Sequence, residues 1–278
     1  MKIRIAHVSL QWSDSSKQHT HDIKAVFKQA NERRYAWITG TEAGPGAGNT
    51  ASELLRIGTE AGYRMFVPQI ERSDAVPAGR TDSWIAVRED LVKSGYREDF
   101  QLVIPGYEQI KDKFHEPVPK ATWGPKGIVS VTFKSLPQIG EVNVAVSHYL
   151  TDARNPSSQF WPWNKKLADA ISNWAKKVGK GTALAFYAGD QNMNDEKNNE
   201  PQGDTFMGGD LTSIADELKQ WKTTSPHGPI DVIASYDGDG RVTGVRWKVY
   251  RDKQLFLNTD HFLCEATYDV RELPTKKK

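Results

Sequence analysis

Short strand-like segments dominate this chain. Period-two alternation or a brief apolar run recurs over 3–9, 35–41, 63–67, 83–88, 101–104, 127–133, 142–148, 183–188, 230–235, 242–250, 254–258 and 262–269. Helical spacing is clear over 21–34 (Ile23, Val26, Phe27), 165–178 (Leu167, Ile171, Trp174) and 211–221 (Ile214, Leu218, Trp221), with a weaker helix over 51–61. About a dozen strands with a few helices between them, and no repeat, point to two packed sheets with helices outside, an α/β sandwich. No linker divides the 278 residues, so a single domain is expected, ending in a disordered basic tail over 272–278.

Composition narrows the class. Hydrophobic residues at 38% can fill a sizeable core, and no run of ~18 apolar residues exists to span a bilayer. The opening MKIRIAHVSL alternates apolar and polar residues, so it reads as a strand and not as a signal peptide. A lone cysteine, Cys264, excludes an internal disulfide and suits a reducing compartment, so a cytoplasmic, monomeric protein without stable membrane association is expected. The net charge of +2 neither demands nor excludes a polyanionic partner. Its basic runs, at 111–126, 165–166, 176–180 and 276–278, are the places that could touch phosphates; most such runs are merely solvated.

Long polar loops fall at 42–50, 68–82, 105–126, 149–163 and 189–210, four of them after a strand, which would gather them on one rim. One stretch, FYAGDQNMNDEKNNE at 186–200, places many oxygen-bearing side chains directly after a buried-type strand. It is not an EF-hand: counting from Asp190, Asp195 stands where Gly is needed and Pro201 where Glu is needed. GPGAGNT at 44–50 lacks the Gly-Lys-Ser/Thr ending of a phosphate-cradling P-loop. His19 and His21 suit a helix start better than a metal site.

What remains is a set of polar residues at strand ends: Glu42, His148, Asp190, Asn192, Asp231, Asp260 and His261. Each alone is an ordinary turn residue. Converging carboxylates would repel one another without a cation, so together they suggest a site for a hard divalent ion, Mg²⁺ or Mn²⁺.

At these residues the sequence resembles the endonuclease/exonuclease/phosphatase (DNase I-like) superfamily. The matches, in order, are Glu42 in ITGTEAG, His148 in VAVSHYL, Gly-Asp-x-Asn at 189–192, Ile230-Asp231 and Thr259-Asp260-His261; Ser9 or Gln11 stands where the family carries Asn, and Pro229 where Arg often precedes Ile-Asp. The resemblance implies a four-layer sandwich, two mixed β-sheets face to face with helices on both outer faces. It also implies a metal-dependent phosphodiester hydrolase. Glu42 and Asp260, with Asp190, would hold Mg²⁺ or Mn²⁺. Asp190 would also activate water and Asn192 would fix water or phosphate; Asp231 would orient His261 on the phosphate, and His148 would protonate the leaving oxygen. Asp82 is a candidate to orient His148. Substrate contacts are expected from Ser9, Gln11, Lys126, Arg154 and the FWPWNKK run with Trp161, Trp163 and Lys165, where aromatics beside cations suit nucleic acid. The same run also reads as packing at a helix start. DNA is the favoured substrate. The alternatives are a phosphatase or lipid-headgroup phosphodiesterase of this fold, and a non-catalytic nucleic-acid-binding member.

Overall fold

The computed structural model describes residues 1–10, 16–42, 50–70, 79–80, 82–104, 126–136, 138–150, 161–192, 212–213, 231–250, 255–256, 259 and 261–274. In chain order its elements are β1 (Lys2–Ser9), α1 (Ser16–Arg33), β2 (Trp37–Thr41), α2 (Thr50–Glu60), β3 (Tyr63–Phe66), β4 (Gln69–Ile70), β5 (Gly79–Arg80), β6 (Trp84–Arg88), α3 (Glu89–Val92) and β7 (Tyr96–Ile104). There follow β8 (Lys126–Leu136), β9 (Gly140–His148), α4 (Trp161–Val178), β10 (Leu184–Asp190), β11 (Thr212–Ser213), β12 (Asp231–Tyr236), β13 (Val242–Tyr250) and β14 (Leu263–Val270).

Two six-stranded sheets result, in the orders β13-β14-β1-β2-β6-β3 and β11-β12-β10-β9-β8-β7. Both are mixed, because β1–β2 and β9–β10 run parallel while their other neighbours run antiparallel. The alternation in β1 explains the layering. Ile3 and Ile5 face the second sheet and join Trp37, Phe133, Phe186 and Tyr268 between the sheets. Ala6 and Val8 face outward and pack under Ile23, Val26 and Phe27 of α1 and Leu54 of α2. Across the second sheet, α4 buries Leu167, Ala168, Ile171 and Ala175 at helical spacing. Helices therefore cover the outer faces of both sheets, the expected sandwich.

Three local readings change. The helix expected over 211–221 meets a strand at Thr212–Ser213, where β11 pairs with β12; the rest of that span lies outside the described residues. The strand expected over 254–258 is absent at 255–256, the part described. Lys126, read as part of a loop, opens β8 and is buried. The short α3, β4 and β5 were too brief to leave a periodic signal. At the pole where β9 and β10 begin, the buried Arg241 donates to the carbonyls of Ile139, Thr182 and Arg271, tying three segments together.

Candidate active site

Strand register delivers the site. In the second sheet Asp190 is the Cα partner of His148 on one side and of Asp231 on the other, so three adjacent strands present imidazole, acid and acid in one row with Asp190 at its centre. In the first sheet Ser9 pairs with Thr41, and Glu42 follows directly. The row and the pair meet across the gap between sheets: Ser9 Oγ donates to Asp190 Oδ2 at 3.3 Å and accepts from Thr41 Oγ1 at 2.8 Å.

Local backbone supports this placement. Gly189 has no room for a side chain, because a Cβ would collide with the Ser147 carbonyl on β9 and the Tyr187 hydroxyl. Glu42 (φ 59°) and Asn192 (φ 49°) both occupy the left-handed region, which non-glycine residues enter at a cost and which concentrates at functional sites. The Asn192 turn feeds back on the site: its N–H donates to Asp190 Oδ1 at 2.9 Å, and its amide donates to the Tyr149 carbonyl at 3.1 Å and to His148 Nε2 at 2.9 Å.

Each imidazole is backed by an acid. His148 Nδ1 donates to Asp82 Oδ2 at 2.6 Å, and the Lys126 ammonium donates to the same oxygen. Burial would raise the Asp82 carboxyl, but Lys126 and His148 hold it well below the usual range. Burial and Lys126 push His148 down; Asp82 and Asp190 prevail, and it stays above its ordinary value. His261 Nδ1 donates to Asp231 Oδ2 at 2.8 Å. Burial alone would lower His261, yet Asp231, Asp190 and Glu42 push it up to about 10. Burial likewise opposes ionisation of Asp231, which His261 and His7 together hold far below the carboxylate range.

Between the two imidazoles lies Asp190 Oδ2, 3.8 Å from His148 Nε2 and 3.7 Å from His261 Nε2. Glu42 Oε1 stands 3.7 Å from His148 Nε2. Ligand atoms of Glu42, His148 and Asp190 lie within 4.8 Å of one another, as do those of Asp190, Asp231 and His261. The Glu42 carboxyl is raised by burial and by the Asp190 charge, despite the pull of His148 and His261. Two carboxylates forced together in an oxygen-rich pocket are the donor chemistry that a hard divalent cation relieves, so these residues fit Mg²⁺ or Mn²⁺.

Of the residues singled out from sequence, Ser9, Glu42, Asp82, Lys126, His148, Asp190, Asn192, Asp231 and His261 come together here. Asp260, Gln11 and Arg154 lie outside the described residues. Thr259, just before Asp260, is tied to the site by a 2.6 Å hydrogen bond from its hydroxyl to the Ser9 carbonyl. Lys126 is committed behind His148, leaving its ammonium turned inward instead of toward solvent. Trp161 and Trp163 begin α4 and pack against the core, with Lys166 lying over the Trp163 ring; Lys165 is exposed. Asn164 is buried and grips the backbone of Leu150 through both its amide oxygen and nitrogen. The sequence reading missed His7. Its only signal was its place on the inward face of β1, two residues after Ile5 and two before Ser9.

No protein-family model matches the chain, and no curated protein does. Solved structures do. An endonuclease/exonuclease/phosphatase from Beutenbergia cavernae superposes with a TM-score of 0.64 at 14% identity, over 97% of this chain and 72% of that one. One from Bacteroides vulgatus gives 0.64 at 13% identity over 98% and 100%. A D. rerio TDP2 crystallised with a single-strand DNA product gives 0.62 at 13% identity over 97% and 99%. The chain has the endonuclease/exonuclease/phosphatase fold. At such identities the likeness speaks for the fold alone.

Proposed function

We propose that this protein is a divalent-metal-dependent phosphodiester hydrolase and that its substrate is DNA. The observation that carries the reading is Asp190 Oδ2, buried and set between two acid-backed imidazole Nε2 atoms at 3.7–3.8 Å. Phosphodiester hydrolysis needs a base for water, positive charge on the phosphoryl oxygens and a proton for the leaving oxygen.

Glu42 and Asp190, joined by Asp260, would hold the ion, which supplies Lewis-acid charge to a phosphoryl oxygen. Asp190 takes the proton of the attacking water, with Asn192 N–H and Ser9 Oγ fixing the carboxylate plane. His261, which Asp231, Asp190 and Glu42 push up to about 10 against burial in the metal-free site, would meet the phosphate as a proton donor held by Asp231. His148 accepts a proton at Nε2 and passes it to the leaving oxygen, while Asp82 keeps the Nδ1 proton in place. Support for DNA comes from the TDP2 structure with its DNA product and from the basic runs of the chain.

The decisive assay incubates the pure protein with supercoiled, linear, single-stranded and abasic DNA, with Mg²⁺, Mn²⁺ or chelator. Metal-dependent cleavage is expected. Asp190→Ala and His261→Ala should each lose about 10²-fold in rate or more while circular dichroism is unchanged. Undiminished turnover in either variant refutes the roles. Hydrolysis of a small phosphoester without any DNA cleavage redirects the substrate to the phosphatase class.

A further inference from the structure

His7 takes no part in the reaction just described, yet it is built into the site's support. It is fully buried on the face of β1 that carries Ile3, Ile5 and Ser9 toward the second sheet. A buried imidazole needs partners for its ring nitrogens. Nδ1 lies 3.0 Å from Thr39 Oγ1, and Nε2 lies 3.5 Å from Asp231 Oδ1, a contact longer than a formed hydrogen bond, with no hydrogen-bond partner of its own among the described residues. The other oxygen of that carboxylate, Oδ2, holds His261.

From this geometry we infer that His7 is a positioning residue, its Nε2–H directed at Asp231 Oδ1 so that the carboxylate holding His261 is gripped from both sides. The tautomer follows from electrostatics. A lone pair at Nε2 would face a carboxylate oxygen, acceptor against acceptor, whereas Nε2–H leaves Nδ1 to accept from the Thr39 hydroxyl at 3.0 Å, in place of that hydroxyl's longer 3.3 Å bond to the Ala6 carbonyl. The topology supplies the reason for a second grip. Asp231 belongs to the second sheet, while His261 enters the strand next to β1 in the first, so their hydrogen bond spans the gap between layers. A one-point contact across such a gap can pivot. Two contacts from the same sheet on the two oxygens of one carboxylate fix its plane and therefore the His261 ring.

The catalytic consequence rests on the phosphodiesterase reading; the grip itself does not, and the test separates them. His7→Phe fills the volume without a donor, and His7→Gln retains an N–H. On the full chain, proton NMR of ring N–H groups, with His261 assigned by its own substitution, reads the Nδ1 proton held to Asp231. In His7→Phe its exchange with solvent should accelerate about tenfold, and kcat on bis(p-nitrophenyl) phosphate with Mn²⁺ should fall about tenfold at little-changed KM, with His7→Gln restoring both. If His7→Phe does not fold, the smaller and equally donor-free His7→Leu is read the same way. Unchanged exchange in a folded donor-free variant overturns the proposal, as does a His7→Gln variant as impaired as His7→Phe. Should the wild type cleave no phosphodiester, the functional reading falls and the exchange measurement still decides the grip.

Discussion

At the scale of single residues, charge placement is the strongest feature, and it extends beyond the site. Glu265 on β14 accepts from the Arg33 guanidinium through both oxygens at 3.1 Å, from Tyr35 at 2.9 Å and from Tyr250 at 2.8 Å. Burial raises this carboxyl, but Arg33 and the two phenols outweigh it and hold it below its ordinary range. Because the folded group titrates lower than the unfolded one, its stabilisation is complete above the unfolded value of about 4.3 and is lost as pH falls through the folded value. Glu265→Gln should therefore lower the urea midpoint at pH 7, and the gap to wild type should close progressively below about pH 4. A gap that does not depend on pH would mean that the cluster acts by packing alone. The same scale shows what a one-dimensional reading can see. Asp190, Asn192 and His261 stood out because they belong to an ordered set of polar residues at strand ends, each ordinary alone. His7 did not, because its acid is 224 positions away and only the facing of two sheets brings them to 3.5 Å.

At the scale of elements, β2 is tightly constrained, with every residue buried on both faces. Gly40 is paired in register with Trp84 of β6, and a Cβ there would land within the indole ring. Trp84 is itself fully buried and stacks near Phe27 of α1, so it has nowhere to retreat. Gly40→Ala should cost about 1–3 kcal/mol in chemical denaturation, and because Glu42 lies two residues on, activity should drop with stability. Long elements were legible in the sequence for a physical reason: α4 buries one face at helical spacing, while β1, β9 and β10 are buried on both faces over most of their length and so read as apolar runs. β11, two residues long, has no period of its own and exists by pairing with β12, so the apolar spacing of 211–221 suggested a helix there instead. Lys126 shows the converse. A lysine before a glycine reads as loop, yet an acid and an imidazole inside the fold give its ammonium a buried seat at the head of β8.

At the scale of the whole molecule, the site keeps Glu42 in an environment that opposes its charge when no metal is bound, chiefly through burial and then through the neighbouring Asp190 carboxylate, and the raised Glu42 carboxyl is the sign of it. Metal should therefore stabilise the entire fold: at a hundredfold excess over Kd the gain is about 2.7 kcal/mol, on the order of 5 °C in Tm for a chain of this size. Glu42→Gln should match or exceed the wild-type Tm in chelator, because it removes the cost of burying a charge beside Asp190, and should show little further rise with Mn²⁺. Equal metal-induced shifts in both proteins would remove Glu42 from the ligand set. Among the described residues no helix is long and apolar enough to cross a membrane. The sandwich itself was legible from strand density; the seating of its two sheets against each other was not, and that seating is what makes a site out of scattered acids.

One topological detail governs when that seating can occur. β1 lies between β2, its near neighbour in sequence, and β14, whose pairing runs from Lys2 with Asp269 to His7 with Cys264. His261 arrives only with β14. A ribosome must therefore deliver nearly all of this chain before any nascent molecule can assemble this cluster, and fragments lacking the last strand should be unable to form it however well their earlier parts collapse.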